Sequence, residues 1–430
     1  MIEILNFPQR ALWNEIAYRP KKKSKLMAMR VAEIVDKVRA GGDAALRELT
    51  LKYDGTAPYS FYVTESEFKS AADAVDEDLK RAIDSAVLNI TRFHKAQKVS
   101  SVELETQKGV FCCQRSLPVK RVGLYIPGGS APLFSTVMML VIPAKIAGCK
   151  EITLFTPPAG NGSVSPLILY VANLLGISEV IKAGGAQAIA AMAYGTESIR
   201  KVDKIFGPGN SYVAQAKLYV STAVSIDMVA GPSELMIIAD KSANPSFIAA
   251  DLLSQAEHGP DSQLFLLTSE REIAEKVNSE IDSQLASLPR QNAAMESLKN
   301  SKIVLMKEED EMVEFANLYG PEHLMISTED PWIVADKIES AGSIFLGNYS
   351  PESAGDYASG TNHSLPTSGW TKSVGGISVD SFLHKITYQK ISKTGLQRLG
   401  KTVEILAEAE GLYAHKNAVK IRLKEIQNGL

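Results

Sequence analysis

Cysteine is scarce in this chain: Cys112, Cys113 and Cys149 are the only three among 430 residues. Neighbours such as Cys112 and Cys113 rarely bridge each other, and no metal-type Cys spacing occurs, which excludes a disulfide scaffold and a thiolate metal site. Long apolar runs are missing too. The strongest, Thr136 to Ala144, is interrupted by Pro143 and falls far short of the roughly 20 residues that a membrane helix needs. No charge of one sign dominates, and a net charge of −3 gives no electrostatic case for nucleic acid or an anionic membrane. The opening Met-Ile-Glu-Ile-Leu-Asn-Phe-Pro-Gln-Arg lacks the basic and apolar regions of a signal peptide, so a reducing, cytoplasmic setting is expected.

What is present reads as a globular protein. Hydrophobic content of 45% with 22% charged residues is ordinary for one, and the length suggests roughly two to four domains. Residues 1–22 read as a short arm entering the basic stretch Lys21-Lys-Lys-Ser-Lys. From about Leu26 to Leu51 the apolar spacing is helical: Val31, Ile34, Val35 and Val38, then Ala45 and Leu46 after the Gly41-Gly42 break. A second helix is expected from Glu65 to about Lys95. From Arg121 onward short apolar runs alternate with helical segments: Val122-Gly-Leu-Tyr-Ile, Glu151-Ile-Thr-Leu-Phe, Glu179-Val-Ile and Lys204-Ile-Phe. The rhythm repeats in Glu234-Leu-Met-Ile-Ile-Ala, Gln263-Leu-Phe-Leu-Leu, Lys302-Ile-Val-Leu-Met, His323-Leu-Met-Ile and Ser343-Ile-Phe-Leu. Such alternation means βαβ units and mostly parallel sheets. The expected fold is α/β, with two Rossmann-like α/β domains, a helical N-terminal arm and a small helical C-terminal domain. Residues 347–376 show no period and read as a long functional loop. Two helices, about Gly395 to Glu410 and Tyr413 to Gln427, close the chain around Gly411.

Five of the six histidines lie in the C-terminal half, and four of them sit in polar settings. The segment from Asn244 reads as a helix with Asn244 as N-cap, Pro245 at its first position and Gly259-Pro260 at its end. On it Asp251, Gln255 and His258 form one polar stripe, either a metal-ligating turn or a surface stripe. Gly320-Pro-Glu-His puts Glu322 and His323 at the mouth of a strand, suited to water activation and proton transfer or else a hydrogen-bonded turn pair. Gly355-Asp-Tyr-Ala-Ser-Gly-Thr-Asn-His supplies Asp356 and His363, a carboxylate and an imidazole that serve a divalent ion and substrate, or ordinary loop polarity. Glu410 ends a helix, where the macrodipole opposes it, and His415 follows. Tyr125-Ile-Pro-Gly-Gly-Ser-Ala-Pro, Gly184-Gly-Ala-Gln and Phe206-Gly-Pro-Gly-Asn follow strands and precede helices, which suits phosphate contact. None is G-x-G-x-x-G, so these turns alone do not establish NAD binding.

In combination the motifs become specific. Tyr125-Ile-Pro-Gly-Gly, Gly184-Gly-Ala-Gln-Ala-Ile, Phe206-Gly-Pro-Gly-Asn, Ala230-Gly-Pro-Ser-Glu, Ser254-Gln-Ala-Glu-His-Gly, Gly320-Pro-Glu-His-Leu and the Gly355 to His363 segment occur in the order seen in the histidinol dehydrogenase family. The chain resembles that family from about Leu26 to Val419; Ser364, where the family more often has an aliphatic residue, is a small departure. The resemblance implies oxidation of L-histidinol to L-histidine through the aldehyde, with two NAD⁺ and one zinc ion, in a homodimer. It implies Gln255, His258, Asp356 and His415 as zinc ligands, the last from the other subunit, and Glu322 and His323 as the catalytic pair. Tyr125, Gln187 and Asn210 would contact NAD, and Ser233, His363 and Glu410 the substrate, alongside Gln255, His258, His323, Asp356 and His415. The implied domains are an arm of residues 1–22, residues 23–121 plus 232–376 carrying metal and catalytic groups, 122–231 binding NAD, and 377–430 for dimerisation. A zinc hydrolase with Glu322 as base, or a two-lobed binding protein, are the competing classes. His94 and His384 have no assigned part.

Overall fold

The apolar runs form strands because they are buried on both faces. The computed structural model describes residues 2–19, 25–98, 100–128, 132–228 and 231–429. Residues 20–24 of the basic stretch, Gly129 to Ala131 after Tyr125, and Ala230 lie outside the described residues. Two compact units emerge: Met1–Gln97 with Val119–Ser381, and Lys98–Pro118 with Phe382–Leu430.

Both parallel sheets belong to the first unit. One has five strands in the order Val180–Lys182, Glu151–Thr156, Arg121–Tyr125, Lys204–Phe206, Ser225–Ile226, all pairs parallel. The other has six, in the order Glu3–Asn6, Lys302–Leu305, Gln263–Thr268, Glu234–Ala239, His323–Ser327, Ser343–Leu346, again all parallel. Apart from the Glu3–Asn6 edge, the two sheets share one winding: three strands laid outward in one direction, then two on the other side of the first. The switch points fall between Arg121–Tyr125 and Lys204–Phe206, and between Glu234–Ala239 and His323–Ser327. A crevice opens at such a point.

Parallel strands covered on both faces carry apolar residues without alternation. Accordingly Glu234–Ala239, Gln263–Thr268 and His323–Ser327 are buried at every position. Leu235, Ile237, Leu264 and Leu266 pack to one side with Leu252 and Ala256. Met236, Ile238, Phe265 and Leu267 pack to the other with Phe315 and Tyr319. Burying each such large apolar side chain contributes about 1.5–3 kcal/mol.

The helices follow local chemistry. The first runs Lys25–Asp54 and kinks at Gly42, φ +50°, where the Glu197 carboxylate takes the Asp43 N–H at 2.6 Å. The stretch expected as one helix from Glu65 is two, Glu65–Asp73 and Glu77–Ala96, because Asp76 leaves the helix and caps the Leu79 N–H. The arm opens as the edge strand Glu3–Asn6 before a 3₁₀ turn and the helix Trp13–Ile16, since its apolar residues pair beside Lys302–Leu305. Within 347–376 the structure adds a helix, Glu352–Tyr357, and a turn, Trp370–Lys372. The second unit holds a three-stranded antiparallel sheet in the order Leu383–Ile391, Val110–Pro118, Val102–Gln107, a strand content that the sequence pattern did not reveal. Its helices Lys393–Ala409 and Tyr413–Gln427 are separated at Gly411, φ +72°, as expected.

Candidate active site

The site forms at the amino ends of the strands flanking the switch point of the six-stranded sheet, the edge opposite to the one such sheets ordinarily use. Gly320, φ +63°, ends the helix Glu309–Tyr319 and turns the chain into Pro321-Glu322-His323. His323 then pairs beside Leu235 at the start of the neighbouring strand. Both Glu322 and His323 are buried, and both reach the main chain of Glu234. Glu322 Oε2 accepts the Glu234 N–H at 2.9 Å, while His323 Nδ1 lies 3.2 Å from the Glu234 carbonyl oxygen.

Two groups face His323 Nδ1: the Glu234 carbonyl, which calls for a proton there, and the Gln255 amide nitrogen at 3.3 Å, which calls for a lone pair. In the tautomer that satisfies the carbonyl, the Nε2 lone pair is free. The amide nitrogen of Gln255 also faces the Glu234 oxygen, at 3.4 Å, which turns Gln255 Oε1 away from it. His323 Nε2, Gln255 Oε1 and Glu352 Oε2 are buried without a hydrogen-bond partner. Orphaned buried acceptors are costly, and they mark where a proton, an ion or a substrate completes the set.

Carboxylates surround them. Among the described residues, His323, Glu352 and Asp356 place ligand atoms within 4.8 Å of one another. His323 Nδ1 is 3.5 Å from Glu352 and 3.6 Å from Glu322, and Nε2 is 3.9 Å from Asp356. Burial pushes the Asp356 carboxyl up to about 6 and raises Glu322 and Glu352 well above the usual range. Burial also holds the His323 imidazole down at about 3, so it is neutral near pH 7. Raised carboxyls around neutral imidazole and amide oxygen are a donor set that suits a divalent cation.

The Asn244 helix contributes as its caps require. Asn244 accepts the Ser246 N–H at 3.0 Å and Pro245 opens the helix, which runs to Ala256 with Glu257 as C-cap. It therefore ends before Gly259, and His258 sits beyond its last turn, where crowding by surrounding protein lowers its pKa and nearby Asp356 opposes that drop. Asp251 and Gln255 are buried rather than a surface stripe. Asp251 accepts the Glu352 N–H and so holds the start of the helix that carries Glu352 and Asp356. Asp356 is thus helical, not part of a flexible loop.

His363 is held from the other sheet. Its Nδ1 lies 2.9 Å from the Asp356 carbonyl, and its Nε2 lies 3.3 Å from Thr136 Oγ1 on the helix Phe134–Ala147. Pro143 lies inside that helix and has no N–H for the Met139 carbonyl four residues back. The side chain of Asn362 donates to that carbonyl at 2.7 Å, and it also meets His94 Nε2 at 3.3 Å. His94, fully buried, donates from Nδ1 to Ile90 O at 2.8 Å, so its Nε2 is the acceptor. His94 and Pro143 therefore anchor the residue before His363. Asn362→Ala should lower unfolding free energy by about 2 kcal/mol or more, read by urea denaturation, because Met139 O and His94 lose their donor.

The turns of the five-stranded sheet stand at its carboxyl edge. Tyr125 is buried, accepts the Gly185 N–H at 3.0 Å and has its hydroxyl pushed up to about 12 by burial. Gln187, also buried, contacts Asp54 at 3.4 Å. Asn210 is exposed and caps the helix Ser211–Val220 with Oδ1, leaving its amide group outward. Gly207, φ +119°, is required because a Cβ would overlap the Tyr125 carbonyl oxygen. Ser233 is half-buried beside Glu234. Glu410, His415 and His384 are exposed in the second unit. Sequence reasoning missed Glu352 and Thr136. Glu352 had one signal, a spacing of four from Asp356 on what proved a helix; Thr136 had none, being hidden in an apolar run.

The comparisons agree with one another. The histidinol dehydrogenase family model matches residues 17–423. A histidinol dehydrogenase from Bacteroides fragilis is 52% identical over 427 residues, 99% of this chain and 100% of that protein. One from Vibrio parahaemolyticus is 51% identical over 399 residues, 92% of each chain. The crystal structure of histidinol dehydrogenase from Elizabethkingia anophelis superposes with a TM-score of 0.96 at 48% identity, covering 99% of both chains. With sequence matched from end to end and the fold reproduced throughout, this chain belongs to the histidinol dehydrogenase family.

Proposed function

We propose that this protein oxidises L-histidinol to L-histidine through the aldehyde, as a cytoplasmic zinc- and NAD-dependent homodimer of histidine biosynthesis. Family membership supports the reaction, and the observation that carries the site is that His323 Nε2 and Gln255 Oε1 are both buried without a hydrogen-bond partner. Gln255, His258 and Asp356, with His415 from a second subunit, would hold zinc. Bound there, zinc supplies an anchor for the imidazole and amine of the substrate. Tyr125, Gln187 and Asn210 would hold NAD⁺, which supplies the hydride acceptor for both oxidations; their place at a switch point supports this.

The chain's own residues move the protons. His323 Nε2 takes the hydroxyl proton in the first oxidation, releases it to solvent, and takes a second proton in the oxidation of the hydrated aldehyde. The imidazolium that forms lies within 4 Å of carboxyl oxygens of Glu322, Glu352 and Asp356, and its positive charge favours their ionised form. Glu322, whose raised pKa makes its ionised form a stronger base, takes in that form a proton from the water that adds to the aldehyde. His363, Ser233 and Glu410 would orient the substrate. In this reading residues 23–121 with 232–376 supply catalysis, 122–231 the cofactor site and 377–430 the dimer contact. Exposed Ile405, Leu406, Tyr413 and Ile421 on the closing helices support a partner surface.

The test is NADH absorbance on adding histidinol, with and without chelator. Two NADH per histidinol is the expected result. Chelator-sensitive hydrolysis without NADH would favour the hydrolase reading instead.

A further inference from the structure

We infer that Arg19 and Glu234 are positioning residues for the Glu322–His323 pair, an inference resting on the catalytic role proposed above. Arg19 lies in the N-terminal segment, far from any site motif in sequence. Its guanidinium grips the Glu234 carboxylate as a fork, Nε to Oε1 at 2.5 Å and a terminal nitrogen to Oε2 at 2.9 Å. The same terminal nitrogen faces the carbonyls of Tyr319 and Gly320 at 3.0 and 3.2 Å, and the guanidinium stacks 3.6 Å from the Tyr319 ring centroid. One group thus ties the start of the Glu234 strand to the turn that delivers Glu322 and His323.

The arm is fixed in turn. Gln263 donates to the Tyr18 carbonyl at 3.1 Å and accepts the Tyr319 hydroxyl at 2.9 Å. On the far side the Ser368 N–H donates to Glu234 Oε1 at 2.8 Å, from a residue held at φ +60°, a conformation that a non-glycine rarely adopts. Glu234 is 4% exposed in its side chain, and its carboxylate also accepts the Glu322 N–H, so it meets the catalytic pair through both side chain and main chain. Its N–H holds Glu322 and its carbonyl orients both His323 and Gln255. A buried carboxylate with four polar contacts is more than a strand needs. Its consequence is a residue whose main-chain N–H and C=O are both aimed.

Arg19→Lys keeps the charge but loses the fork. In the full-length enzyme assayed with histidinol and NAD⁺, kcat should fall about tenfold or more, while KM for NAD⁺ stays within about twofold. Glu234→Gln keeps the shape and part of the hydrogen bonding, so it should retain more kcat than Arg19→Lys, and it decides the matter by the same readout if Arg19→Lys does not fold. A folded variant with wild-type kcat, or a loss confined to melting temperature or to KM for NAD⁺, overturns the inference. Wild-type enzyme that forms no NADH would overturn the functional reading instead, which keeps the two failures distinct.

Discussion

His323→Asn should lower kcat by about 10²–10⁴ while bound zinc, measured by metal analysis, stays at the wild-type level. Asparagine preserves a donor toward the Glu234 carbonyl, so the pocket keeps its shape and the loss reports the missing Nε2 lone pair. His323 is the group suited to this work because its Nε2 is buried without a partner, its ring is neutral near pH 7, and three carboxyls stand within 4 Å of that ring. Turnover that survives would remove His323 from the proton path. Loss of metal together with turnover would make it a ligand, as its membership of the trio with Glu352 and Asp356 also allows.

Chelation should abolish NADH formation and lower the melting temperature, and adding zinc back should restore both. Zinc at about 100 times its dissociation constant would stabilise the fold by roughly 2.7 kcal/mol. The effect should be pH-dependent with a definite sign. Asp356, buried, holds its proton in the metal-free fold to about 6, against 3.8 as an ordinary carboxyl. A raised carboxyl favours the fold below its unfolded pKa, and that contribution is lost as pH rises through about 6. The same proton competes with the ion, so stabilisation by zinc should grow between pH 5 and pH 8. Calorimetry with and without zinc at the two pH values checks this. A melting temperature indifferent to zinc and chelator at both would sink the metal reading.

Much of the fold was legible because local rules and tertiary demands coincide in it. Unbroken apolar runs such as Glu234–Ala239 can only be strands covered on both faces, and the Asn244-Pro245 start of a helix is written in side-chain chemistry. The splitting of the helix from Glu65 at Asp76 was less visible, since both halves share one amphipathic character. Glu3–Asn6 gave no signal at all, because an edge strand of four residues gains its definition from its neighbour, Lys302–Leu305.

For the site the division is sharper. By itself the sequence singled out the side chains proposed to carry chemistry, the imidazole, carboxyl and amide groups of Gln255, His258, Glu322, His323, Asp356 and His363. It determined the parallel α/β plan as well. Only the tertiary structure decided how those groups are oriented. Which nitrogen of His323 is free turns on the Glu234 carbonyl and the Gln255 amide, and Glu234 is gripped by Arg19, 215 residues away along the chain. The place of His363 depends on a carbonyl that Pro143 leaves open for Asn362. Hydrogen-bond direction is a property of atoms in space, set by partners that no local pattern names.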